Sequence, residues 1–497
     1  LDYKKEQKIM KTVLQILCVL ALIIGANVSL WAQEEGYNIR VKIDNYTEDT
    51  LILGYHRGPK LLIKDTLARS NNKGEWVFKG EENLPGGLYF IYLKAEGTYF
   101  DFLIPNDEDQ KKMVLQTKMD ETGNLTKHLK IKGSKDNEVF LEFIKNGMAN
   151  DQKLRALQGK LANATEEEKK AIQAEGEVLS KERRALQEEL LEKHPNTLTA
   201  KMIGASMRPE APKGLSRMDA YLYLKAHYWD NFDWSDERLI RTPILEDKMN
   251  FWVDKMTVQA PDSIAKAVDY MLEHFKASGN KDLFQHFAAL YLNKYAKSKI
   301  ICMDAVYVFI GEKYYCNGDN DWVDSAQLVK ICEDVQALKP LRCGLQAPNI
   351  RLRNMDGEYL TLYDVKAKFT VLYFWDPTCG NCSKTSAKLV PVYKEFKDKG
   401  LEIFGVCSKS WKELDQCKKK IEEKGMDFIN TSDDPYPLAV AKKTYDLKAN
   451  PYMVLLDENK NILLKRIDPN QLKDILTREL GGDEEKDKAP EGKAVEK

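Results

Sequence analysis

Phe374-Trp375-Asp376-Pro377-Thr378-Cys379-Gly380-Asn381-Cys382 is the stretch on which the reading of this chain turns. Residues 369–375, Phe-Thr-Val-Leu-Tyr-Phe-Trp, are apolar almost without a break, the pattern of a strand covered on both faces. Asp376-Pro377-Thr378 interrupts that run, and the amphipathic stretch 379–397, stopped at Gly400, predicts a helix. Two cysteines separated by two residues on the first turn of a helix can close a small disulfide ring. Cys379 faces the unpaired N–H groups and the positive end of the helix dipole, which favour a thiolate. It is the expected attacking nucleophile, and Cys382, one turn inward, the expected resolving sulfur.

Moving outward, 401–406 is a second buried strand, 411–424 a helix closed by Gly425, and 470–480 a helix stopped by Gly481-Gly482. Strands at 452–456 and 462–465 are joined by the turn Asp457-Glu458-Asn459-Lys460. Alternation of this kind predicts α/β layers across 342–482. Other uses of the cysteine pair fit less well. A zinc site would draw on Cys407 and Cys417, whose spacing is too wide for a knuckle. A cysteine hydrolase needs a histidine base, and the last histidine is His286. No metal or cofactor is therefore expected. Cys407 and Cys417, at a strand end and on the next helix, are expected to pack as free, buried, small hydrophobes, a second redox pair being the competing reading.

Four features make residues 344–480 resemble the TlpA/ResA-type branch of the thioredoxin superfamily, which is related to AhpC/TSA proteins. Ala347-Pro348-Asn349 with Leu352 and Asp356-Gly357 is similar to the family's opening hairpin, and Phe374-Trp375 to its aromatic pair before the cysteines. Pro391 falls where the family has a helix-kinking proline, and Asn450-Pro451 where it has a cis-proline loop. The resemblance implies a thioredoxin fold and an exported thiol–disulfide oxidoreductase. It implies protein disulfide or dithiol clients, recharging by a membrane thiol relay of the DsbD/CcdA kind, and a link to cytochrome c-type biogenesis. By the same resemblance Trp375, Pro377, Thr378, Asn450 and Pro451 would contact the client, Asn450 through backbone groups that pair with it like an added strand.

The departures are specific. Thr378 stands where many members have tryptophan, Gly380-Asn381 replaces the usual dipeptides, and Tyr373 occupies the place of thioredoxin's buried aspartate. Thr385 stands where some relatives place a glutamate, so no buried carboxylate is apparent to take the Cys382 proton. Residues 426–430, with Asp433-Asp434-Pro435, are similar to an insert shared with peroxiredoxins. A peroxidase, however, would carry threonine three residues before its cysteine, and Thr378 is adjacent to Cys379.

The rest of the chain has no thiol chemistry before residue 300 apart from Cys18. Segment 33–134 alternates apolar and polar residues, as in Ile39, Val41 and Ile43 or Trp76 and Phe78. Turn clusters at Asn71-Asn72-Lys73-Gly74, Pro85-Gly86-Gly87 and Pro105-Asn106-Asp107 complete the pattern of a β-sandwich-like domain. From 135 to 341 the period becomes helical, with Thr165 and Glu168 forming a capping-box signature. Lys64-Asp65-Thr66, Gly74 and Gly133-Ser134 make these regions similar to the appendages that precede redox domains in exported Bacteroidetes proteins. Cys302, Cys316, Cys332 and Cys343 are candidates for structural bridges of undecided connectivity.

At the N-terminus, Lys4, Lys5, Lys8 and Lys11 precede an apolar run over 13–31 and then Ala32-Gln33. This predicts a signal peptide at 1–32 and delivery to the periplasm or cell envelope, an uncleaved membrane anchor being the competing reading. Residues 483–497 form a charged tail expected to be disordered. Lysine plus arginine (76) balances aspartate plus glutamate (77), so there is no basic footprint for nucleic acid. The multidomain order is thus all-β, all-α, then an α/β thioredoxin fold. The alternatives to an oxidoreductase are an envelope binding or scaffold protein with a vestigial redox domain, and a thiol peroxidase.

Overall fold

The computed structural model describes residues 36–46, 48–68, 74–161, 164–318, 320–433 and 439–481. The expected signal segment, the charged tail and Asp434-Pro435 lie outside them, and no described helix is long and apolar enough to cross a membrane. The chain forms two compact units. One runs to Trp252 and adds Ala277–Leu283; the other takes Val253–Lys276 and everything from Phe284.

The first unit opens with eight strands: β1 (Tyr37–Asp44), β2 (Thr50–Arg57), β3 (Lys60–Ala68), β4 (Glu75–Gly80), β5 (Gly87–Leu93), β6 (Thr98–Ile104), β7 (Val114–Lys118) and β8 (Lys130–Lys132). They make two four-stranded sheets, β4-β1-β7-β8 and β3-β2-β5-β6. Alternation in β1 buries Tyr37, Ile39, Val41 and Ile43 and turns Arg40 and Asp44 to solvent. The inner faces share one core that includes Trp76, Phe78, Phe100, Phe102 and Leu115. Trp76 satisfies its indole by donating Nε1–H to the Asp49 carbonyl at 2.8 Å. Helices Lys135–Leu161 and Glu166–Lys193 follow, the second begun by the expected capping box between Thr165 and Glu168.

In the second unit a helical stretch, including Asp304–Ile310 and Ser325–Leu338, leads into a seven-stranded sheet. Its strands are β9 (Arg351–Asn354), β10 (Tyr359–Thr361), β11 (Phe369–Trp375), β12 (Leu401–Cys407), β13 (Ile429–Ser432), β14 (Tyr452–Leu456) and β15 (Ile462–Lys465). The order is β10-β9-β13-β12-β11-β14-β15. β11 is internal, parallel to β12 and antiparallel to β14, with Trp375 opposite Cys407 and Phe374 opposite Tyr452. Separate apolar cores cover the two faces, which is why β11 carries no polar alternation. Helix Leu414–Lys424 ends on Gly425 at φ 60°, a left-handed cap that glycine adopts without a Cβ clash.

One expectation is overturned here. Cys407 and Cys417 are not free: they form a disulfide, both fully buried. The end of β12 and the first turn of helix Leu414–Lys424 lie face to face, with Cα atoms 6.3 Å apart, a relation that spacing along the chain does not reveal. The other pairs are Cys302–Cys343 and Cys316–Cys332, leaving Cys379 and Cys382 as the free thiols among the described residues.

Candidate functional site

The continuous apolar strand β11 carries the chain through the sheet and releases it at Asp376, and helix Gly380–Phe396 begins four residues later. Cys379 is the N-cap of that helix. Its sulfur accepts the Cys382 backbone N–H at 3.2 Å, taking the place of a capping oxygen at one of the orphan donors of the first turn. On its other side the Cys379 sulfur lies 3.7 Å from the Asn450 carbonyl, to which the thiol donates. Cys379 is half-buried and Cys382 is 1% exposed. Burial, aided by the neighbouring Cys379 sulfur and opposed by a hydrogen bond from the Asp376 backbone, pushes the Cys382 thiol up to about 12.

Tyr373, in the place of an aspartate, is fully buried below the pair. Its hydroxyl donates to the Cys382 carbonyl at 3.2 Å and lies 2.9 Å from Ser386 Oγ, and burial keeps it protonated. It fastens the first turn of the helix to the sheet and supplies no base. The sequence reading assigns Trp375 to client contact, but the ring is 1% exposed and belongs to the core. It is a floor beneath the loop. Thr378 is exposed and Pro377 half-buried beside Cys379. Asn450 and Pro451, reached from the start of β14, are joined by a cis peptide bond and brought to the cysteines by the antiparallel pairing of β14 with β11. A cavity of about 430 Å³ opens next to Pro451, with Thr385, Lys448, Tyr452, Arg466 and Asp468 in its wall.

Residues outside the sequence reading also converge. The Asp376 carboxylate accepts from Thr378 N at 2.7 Å, Thr378 Oγ1 at 2.5 Å and Ser408 Oγ at 3.0 Å, with Lys409 Nζ at 3.4 Å. Partial burial would raise its pKa, but the bonds from Thr378 and Ser408 and the Lys409 charge outweigh it and hold the carboxyl below the usual range. The available signal was positional: Ser408 and Lys409 directly follow β12, which runs parallel beside β11, so they end where Asp376 begins.

A free cysteine pair at a helix start, behind an internal strand and opposite a cis-proline loop, is the arrangement of thioredoxin-fold thiol–disulfide oxidoreductases. Residues 343–465 match the AhpC/TSA family, residues 37–140 a domain of unknown function (DUF4369) and residues 178–339 another (DUF5106). The chain is 28% identical over 132 residues to the thiol-disulfide oxidoreductase ResA of Bacillus cereus, covering 26% of this chain and 70% of that one. It is 28% identical over 119 residues to the thioredoxin-like protein YneN of Bacillus subtilis, covering 23% and 65%. A solved domain of a possible thiol-disulfide isomerase from Cytophaga hutchinsonii is 35% identical over 28% of this chain and 94% of that one, with a TM-score of 0.26. The C-terminal domain is TlpA/ResA-like, that of a thiol–disulfide oxidoreductase, and extra N-terminal domains precede it.

Proposed function

We propose that this chain is an exported oxidoreductase that exchanges disulfides with protein clients of the cell envelope through Cys379 and Cys382. The Cys379 thiolate attacks a client disulfide; a mixed disulfide forms and one client thiolate leaves. Cys382 then passes its proton to the client thiolate already released and attacks Cys379 in that mixed disulfide, closing the Cys379–Cys382 bond and releasing the second client thiolate. Electrons pass from the cysteine pair to the client, and a membrane thiol relay of the DsbD/CcdA kind returns them. The observation that carries this reading is the half-buried Cys379 sulfur at a helix N-terminus, with Cys382 sealed behind it. Asn450, whose carbonyl accepts from the Cys379 thiol, with Pro451 beside it and Pro377 and Thr378 just before Cys379, would hold the client chain. Three disulfides in the described residues fit an oxidising compartment, as does the basic-then-apolar start of the sequence.

Dithiothreitol-dependent reduction of insulin by the full chain is the test. Wild type should accelerate it, and Cys379→Ser should fall to the uncatalysed rate. Equal, background rates for both would remove the enzymatic reading in favour of a binding role.

A further inference from the structure

Three chain segments that are far apart in sequence meet through side-chain hydrogen bonds at the cysteine pair. Asp376 leaves β11, Ser408 leaves β12, and Asn450 precedes β14. Ser408 Oγ donates to Asp376 Oδ2 at 3.0 Å and accepts from Asn450 Nδ2 at 3.3 Å. The Asn450 carbonyl in turn accepts from the Cys379 thiol at 3.7 Å. A carboxylate only accepts, so Ser408 must spend its single proton on Asp376, leaving lone pairs toward Asn450. That polarity selects which end of the Asn450 amide faces Ser408 and so fixes the residue that flanks Pro451. The Ser408 backbone is itself anchored, its N–H donating to the Trp375 carbonyl at 2.9 Å.

We propose that Asp376 is a positioning residue for client capture, acting through Ser408 on Asn450 to hold the cis-proline loop at a set distance from Cys379. This rests on the oxidoreductase reading above and adds a role that the cysteines do not supply. Asp376 is not the base for Cys382: its carboxylate is already occupied by Thr378, Ser408 and Lys409, which make it a weak proton acceptor. Its effect is therefore on where the client strand lies.

The test compares wild type, Ser408→Ala, Asp376→Ala and the double variant in the full chain. It uses steady-state insulin reduction and the pH profile of Cys379 alkylation by iodoacetamide. Ser408→Ala should lower kcat/KM roughly three- to tenfold, mostly through KM, the size expected for one lost hydrogen bond. Asp376→Ala should lose at least as much, and the double variant no more than Asp376→Ala, because the two residues act in series. The alkylation profile of Ser408→Ala should overlay that of wild type. Wild-type KM in Ser408→Ala, losses that multiply in the double variant, or an alkylation profile that shifts along with insulin reduction would each overturn the proposal. If Asp376→Ala fails to fold, Ser408→Ala decides alone. Should wild type fail to exceed Cys379→Ser, the oxidoreductase reading falls and this inference with it, an outcome distinct from active wild type with unaffected variants.

Discussion

β1 of the N-terminal sandwich and β11 of the C-terminal sheet draw on the same kinds of residue, aromatic and branched. β1 hides Tyr37, Ile39, Val41 and Ile43 and sends its other residues outward, whereas β11 is buried from Thr370 through Trp375. A strand with one wet face can be entered and left by short turns, as β2 and β3 are joined across residues 58–59. β11, covered on both faces and parallel to the next strand β12, is left by a crossover through helix Gly380–Phe396. Here that crossover begins in the crevice between the end of β12 and the start of β14. Strand ends of open α/β sheets collect ligand sites for this reason. The two regions obey one rule of burial, and only the second leaves polar backbone, a helix terminus and neighbouring loops unspent at a single point.

The sharpest way to break that contrast is chemical. At pH 8 iodoacetamide should label Cys379 and spare Cys382, whose thiol is pushed up to about 12 by burial, roughly a thousandfold below an ordinary thiol in thiolate content. The sign follows from burial opposing the charged form, so Cys382 labelling should appear only as the pH climbs toward about 12. Peptide mapping that finds both sulfurs labelled alike at pH 8 would undo the division of labour between them.

Next in size, Trp76→Ala removes a fully buried ring from the sandwich core and should destabilise the first unit by about 3–5 kcal/mol. Insulin reduction by the second unit should survive it within about twofold, as expected of sites that share no partners. A parallel loss of activity in calorimetry and assay would show the two regions to be one cooperative system.

The smallest effect concerns Lys248, 6% exposed, with its ammonium 4.5 Å from the centroid of Tyr228. Burial, and then the Arg208 charge, lower it to about 8 from the ordinary 10.5. Between those values the unfolded chain binds more protons than the folded one, so this group makes stability rise with pH, by at most about 1.4 kcal/mol per pH unit. Urea denaturation at pH 8, 9 and 10 should show that rise flattened in Lys248→Met. Identical slopes in both proteins would remove Lys248 as its source.

Much of the C-terminal domain was legible because its signals are local. The apolar run 369–375, the stop at Gly400, the cap at Gly425 and the strands at 452–456 and 462–465 all fall where the pattern puts them. Nearest-neighbour sterics and helix-end hydrogen bonding act over four residues or fewer, so they are written in the order of residues. The helix capped by Thr165 is legible for the same reason. Trp375 misled because an aromatic next to a reactive loop looks like a contact surface, and only the helix packed above shows that the ring faces the core. The pairing of Cys407 with Cys417 was hidden because a free buried cysteine and a bridged one have the same local pattern.

The amino-acid order alone determined that a strand must end at Trp375, that a helix must start at Cys379, and that two thiols must share its first turn. It did so through burial and backbone geometry over a handful of positions. Tertiary structure alone decided what surrounds those thiols. Asp376 meets Ser408 across 32 residues, Ser408 meets Asn450 across 42, and Cys379 meets Asn450 across 71. Such contacts depend on which strands lie side by side, a choice made by the free energy of the whole sheet rather than by any short segment.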